Sequence, residues 1–132
     1  MNKDIFIEGF SKDKGFIKKL GISVKDINET EATFYIKLKD YHLNPVGIAH
    51  GGVLYSLADT TMGAIPFYNK NQCVTVNATI NYLRACDTKT VYCTAKEVKK
   101  GKNLSFYEAK LTNEEGIVLA TAIGTYMNID NK

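Results

Sequence analysis

Residues Gly51 to Tyr68 carry the one long helical periodicity of this 132-residue chain, and the stretch is almost without charge. Leu54, Leu57, Ala58, Thr61 and Ile65 recur at intervals of three and four and make a single apolar stripe. From Gly51 to Phe67 the only charged residue is Asp59, although 23% of the chain is charged and 17 positions would ordinarily hold about four. On a helical wheel Asp59 lies roughly 140° from the stripe, near Tyr55, Met62 and Pro66. A face open to water would carry Lys and Glu. This one carries Tyr55, Ser56, Thr60, Met62 and Gly63, so it is expected to be covered, by more of a sheet or by a second subunit.

The segments around this helix read mainly as strands. Ile5, Phe6, Phe10, Phe16, Ile17 and Leu20 are spaced for one or two short amphipathic helices, broken near Ser11 to Gly15. Ile22–Ile27 and Glu31–Leu38 read as a hairpin around Asn28-Glu29, followed by a polar loop from Asp40 to His50. After Asn69-Lys70-Asn71 come four period-2 segments. Val74, Val76, Ala78, Ile80 and Tyr82 alternate in the first, and Val91, Cys93 and Ala95 in the second. Leu104 and Phe106 carry the third, and Val118, Ala120, Ala122 and Tyr126 the fourth. Turns at 99–102 and 113–116 join the later ones. Two strands, a long helix and a four-strand meander make an α+β pattern with a largely antiparallel sheet.

Length and composition narrow the class. A chain of 132 residues with 45% apolar residues is ordinary for one globular domain over 1–132. No apolar run approaches the ~18 residues of a membrane span, and Lys3 and Asp4 open the chain without an export-signal pattern. The net charge of +3 is modest, and Arg84 is the only Arg beside 16 Lys, a poor set for reading base edges. Nucleic acid and membrane are therefore not expected partners. Cys73, Cys86 and Cys93 form an odd count without a C-x-x-C pair, so structural thiols, no metal site and a cytoplasmic location are expected.

The chemistry concentrates where the helix begins. His50-Gly51-Gly52 opens it, directly after a loop containing Asn44. Paired glycines at a helix start cost conformational entropy unless something must approach the backbone. Free amides there, aided by the helix dipole, can donate to a developing oxyanion. His-Gly-Gly is short, and a plain helix-start turn also accounts for it.

Asn44, His50-Gly51-Gly52 and Ser56-Leu57-Ala58-Asp59-Thr60 together resemble the signature of the PaaI-like acyl-CoA thioesterases. The resemblance extends through Asn81-Tyr82-Leu83-Arg84, Lys100-Gly101-Lys102 and the closing 116–126 segment. It implies the hotdog fold, an antiparallel sheet of five to six strands wrapped around one long central helix. It also implies hydrolysis of an aryl- or short- to medium-chain acyl-CoA. Under it Asp59 is the general base or, less readily, the nucleophile, and Gly51 is the oxyanion donor through its amide. Asn44 positions water or the acyl group, His50 orients the loop or the sulfur, and Thr75 is the nearest match for a water-holding hydroxyl. Gly52, Ser56 and Thr60 line the substrate. Arg84, Lys100 and Lys102, with Lys99, are candidates for the coenzyme A phosphates, although lysines at a hairpin turn also serve solubility alone. No cofactor or metal is implied, since coenzyme A is part of the substrate.

Reach then constrains assembly. Gly51 and Asp59 are eight residues apart, about 12 Å along a helix, whereas a general base must come within ~3 Å of its proton or act through one water. One subunit cannot bring both groups to the same carbonyl. Two antiparallel helices could, and the resemblance likewise implies a homodimer with shared sites, paired again into a homotetramer. Two other readings stay open. Hotdog dehydratases or hydratases use a His base or a different order of Asp and His; a non-catalytic acyl-CoA-binding module would have no need of Asp59.

Overall fold

The computed structural model describes residues 2–129. Two short helices, α1 (Lys3–Ser11) and α2 (Phe16–Leu20), precede the hairpin β1 (Ile22–Ile27) and β2 (Glu31–Lys37). A 3-10 turn at Asp40–His42 leads to α3 (Gly51–Tyr68). Then come β3 (Cys73–Tyr82), β4 (Thr90–Lys100), β5 (Leu104–Thr112) and β6 (Val118–Asn128). The six strands form one antiparallel sheet in the order β1-β2-β4-β5-β6-β3. That order corrects the expected four-strand meander. β4, β5 and β6 do run as a meander, but β3 lies beyond β6, and β2 takes the place beside β4. Packing explains the choice. Ala32, Phe34 and Ile36 face Ala95, Cys93 and Val91 in direct register, all at most 1% exposed, with the large Phe34 opposite the small Cys93.

α3 lies against the inner face of the sheet and supplies much of the core, with Leu54, Leu57, Thr61 and Ile65 buried. Met62 and Pro66, expected beside Asp59 on the second face, are also buried. The chain's own sheet therefore covers part of the uncharged face. Tyr55, Ser56, Asp59 and Thr60 remain open or half-open.

One strand, and the start of another, present the opposite phase to the one their spacing suggests. In β5 the inward residues are Tyr107, Ala109 and Leu111, and Leu104 and Phe106 face outward. Alternation fixes a period but not which set meets the core, and α3 selects the set that includes Ala109. In β3 a bulge sits between Thr75 and Asn77, where Thr75 pairs with Tyr126 and Asn77 with Thr125. The extra residue, Val76, reverses the phase before it, so Val74 and Val76 are exposed, whereas Ala78 and Ile80 pack against the core as their spacing suggests. Because β3 ends the sheet, its second edge is unpaired.

α1 closes over the C-terminal half of α3 through rings. Phe6 meets Phe67 at 6.0 Å and Tyr68 at 5.5 Å, both edge-on, and Phe10 meets Phe34 at 5.0 Å. Lys3 and Asp26 add one exposed ion pair at 2.9 Å. Cys73, Cys86 and Cys93 are free thiols. Among the described residues no helix is long and apolar enough to cross a membrane, and no cluster of three or more His, Cys, Asp or Glu is arranged to hold a metal.

Candidate active site

Asp59 projects from the middle of α3 toward the start of β3 and the end of β6. Thr75 Oγ1 donates to its Oδ1 at 2.8 Å. The Tyr126 hydroxyl lies 2.8 Å from the same Oδ1 and 3.0 Å from the Asp59 carbonyl oxygen. Both side-chain donors thus converge on one carboxylate oxygen, and no donor among the described residues occupies Oδ2. Thr75 and Tyr126 are register partners across β3 and β6, so the sheet sets the spacing of the two hydroxyls. Without the bulge at Val76, Thr75 could not share the α3-facing side with Tyr82.

Sequence spacing marks Tyr126 only as a core position and gives no sign of this contact with Asp59. Its ring is 2% exposed and fits a slot left by glycines. A Cβ on Gly124 would stand 2.8 Å from the ring and one on Gly63 3.3 Å. Burial first, then the neighbouring Asp59, pushes the phenol far above its ordinary range, so the hydroxyl remains a donor. The available signal was a Tyr among Ala and Gly on an inward face, since a buried phenol needs a partner.

At the N-terminus of α3, His50 caps the helix. Its Nδ1 accepts the Gly52 N–H at 2.8 Å. Gly52 is therefore not a free donor, contrary to the expectation of paired free amides. The Gly51 N–H has no acceptor among the described residues. Tyr82 donates to the Gly51 carbonyl at 2.7 Å, and a Cβ on Gly51 would come within 3.2 Å of that ring. His42, unremarked in the sequence, anchors this region from beneath. It is 1% exposed, takes the Lys39 N–H on Nδ1, bonds the Leu20 carbonyl through Nε2, and accepts the His50 N–H on its own carbonyl.

Asn44 organises the preceding loop, its Oδ1 accepting the N–H groups of Val46 at 3.0 Å and Ile48 at 3.3 Å. Ser56 turns back to the Gly52 carbonyl at 2.8 Å, whereas Thr60 lines the cavity beside Asp59. Arg84 donates to the Val118 carbonyl at 2.7 Å, beyond the Tyr82 end of β3. Lys100 and Lys102 sit at the β4–β5 turn, beside the Cys73 end of the same strand. Nine strand steps separate those ends by about 30 Å, so one chain does not bring Arg84 and the two lysines together.

A cavity of about 560 Å³ opens from Asp59, Thr60, Thr75 and Tyr126 and runs beneath α1. Its remaining walls are mostly apolar, Phe6, Phe10 and Phe67 prominent among them.

An antiparallel sheet wrapped around one long central helix is the hotdog fold. The thioesterase superfamily pattern matches residues 46–120, more than half of the chain, and the chain belongs to that superfamily. Human acyl-coenzyme A thioesterase 13 is 28% identical over 112 residues, covering 82% of this chain and 80% of that one. The PaaI protein of the E. coli phenylacetic acid degradation operon superposes with a TM-score of 0.86 at 26% identity, covering 92% of this chain and 89% of that chain. Zebrafish thioesterase superfamily member 2 gives 0.84 at 26% identity, over 96% and 94% of the two chains.

Proposed function

We propose that this protein hydrolyses acyl-CoA thioesters at a site shared between two subunits. The observation that carries the reading is the Asp59 carboxylate, held through Oδ1 by Thr75 and Tyr126 and lining an apolar cavity. Oδ2 takes a proton from water as the water oxygen bonds to the thioester carbonyl carbon. The carbonyl oxygen becomes an oxyanion and accepts the N–H of the partner subunit's Gly51. Collapse breaks the C–S bond; the CoA thiolate leaves and takes up the proton carried by Asp59. The products are a carboxylic acid and free CoA, and the acid loses its proton to solvent.

The shared site has support at both ends of β3. Thr75, near one end, contacts Asp59; Tyr82, at the other, contacts Gly51. Their midpoint falls between Ala78 and Thr79, in the middle of the unpaired edge. Antiparallel pairing of two such edges about that point sets each Asp59 toward the partner subunit's Gly51. The same pairing brings Lys100 and Lys102 of one chain toward the partner subunit's Arg84, where cations could serve the CoA phosphates. His50 and Asn44 then act by holding the loop from which the Gly51 amide projects. The reading names no resident cofactor, places the enzyme in the cytoplasm, and includes a further pairing of dimers into a tetramer.

Co-expression of two defective chains tests this. Asp59→Asn keeps the shape and removes the base; Gly51→Val obstructs the amide against Tyr82. Each alone is expected to lose ~10²-fold or more in thiol release from acyl-CoA. Mixed dimers contain one site with both lesions and one with neither, so about a quarter of the wild-type rate is expected to return. Isolated mixed dimers as inactive as their parents would sink the shared site. An active Asp59→Asn homodimer would remove the base.

A further inference from the structure

The cavity beside Asp59 has a length as well as a chemistry. Its floor is one face of α3, on which Asp59, Thr60, Gly63, Ala64 and Phe67 follow at helical spacing. From Asp59 to Phe67 the run is about 12 Å. Its roof comes from α1 and α2 through Phe6, Phe10 and Ile17. Between the carboxylate and Phe67 the floor is kept low by Gly63 and Ala64. Position 63 is held small, since a Cβ there would meet the Tyr126 ring at 3.3 Å. Phe67, 55% exposed, stands edge-on to Phe6, so two side chains rather than backbone narrow the far end. The lining holds no Lys or Arg. A volume of about 560 Å³ falls in the ~300–1,000 Å³ range of small-ligand sites.

We propose that this cavity receives the acyl tail and gauges its length, accepting straight, uncharged tails of about eight to ten carbons. The inference rests on the reading of Asp59 as the base, because that fixes where the tail begins. An extended chain covers ~1.2 Å per bond, so a 12 Å floor takes about ten bonds. Without a cation in its walls the cavity offers nothing to a tail ending in a carboxylate. Each methylene that enters leaves water for Phe and Ile surfaces, which is worth about fourfold in kcat/KM. The gain should cease where the tail passes Phe67.

A ladder of straight-chain acyl-CoAs, from acetyl to palmitoyl, followed by thiol release, tests the inference. With the wild-type protein kcat/KM is expected to climb about fourfold per methylene and to break at eight to ten carbons. Ala64 lies ~7.5 Å along α3 from Asp59, so Ala64→Leu should move the break to about six carbons. Phe67→Ala should move it beyond ten. The position of the break is the readout, not the absolute rate. A ladder without a break, or a break unmoved by Phe67→Ala, overturns the proposal. Should Ala64→Leu fail to fold, Phe67→Ala decides alone, since its side chain is mostly in solvent. If Asp59→Asn retained activity while the break moved as expected, the cavity would stand and the base would fall. A silent Asp59→Asn with an unmoved break gives the converse.

Discussion

Tyr126→Phe removes one hydroxyl and leaves the ring in its slot between Gly63 and Gly124. The hydroxyl donates to a carboxylate, an arrangement generally worth about 1.5–3 kcal/mol, and its loss leaves Thr75 as the only side-chain donor on Oδ1. The variant is expected to fold and to lose roughly tenfold in kcat with KM within about twofold, because Oδ2 is no longer held toward the water. Steady-state kinetics on one acyl-CoA would check the split; a rise in KM alone would make Tyr126 a packing residue. At this scale the sequence was legible where chemistry lies in a motif, as with Asp59 in its uncharged helix and Thr75 one strand later. It was not legible where a partner arrives from far along the chain. Tyr126 is 67 residues from Asp59, and nothing local to either residue announces the contact. His42 is similar, since its bond to Leu20 closes across the whole β1–β2 hairpin.

Among the elements, α3 was legible in position and in its principal stripe, because 3.6-residue periodicity survives any tertiary arrangement. β3 was legible as a strand, and in phase from Ala78 onward but not before it, because a bulge of one residue leaves no mark on an alternating pattern. That residue yields a sharp contrast. Val76 is 55% exposed, so Val76→Thr should change stability by no more than about 0.5 kcal/mol and leave turnover near wild type. Inserting one Ala after Val76 adds a step to β3 beyond the one the bulge absorbs and turns Thr75 and Tyr82 to opposite faces. Thiol release should then disappear, since either Asp59 or Gly51 loses its contact on β3. An insertion variant with ordinary activity would show that the phase of β3 does not set the site.

For the molecule as a whole, burial disfavours ionisation of several acidic groups, the Cys86 thiol among them, and does so most strongly at three. Burial pushes the Cys93 thiol and the Tyr107 phenol up to about 12, and Tyr126 still further. In the unfolded chain these groups ionise near 8.5 for Cys and 10 for Tyr. Their contribution is therefore fully present below those values and is lost as pH rises toward the folded ones, by about 1.4 kcal/mol per pH unit for each group in that window. The melting temperature is expected to hold to about pH 8 and then decline, and Cys93→Ala should reduce the earliest part of the decline, which the Cys86 thiol shares. Thermal melts from pH 7 to 11 that stay level would contradict this. The order of strands was the part of the architecture least legible from sequence, because it depends on which faces fit across β2 and β4. That order leaves β3 with an unpaired edge, and the edge attaches a concentration to the activity. If each site is assembled from two chains, dilution does not merely slow the encounter of enzyme with substrate; it dismantles sites, and an acyl-CoA that binds only the paired form draws the chains back together.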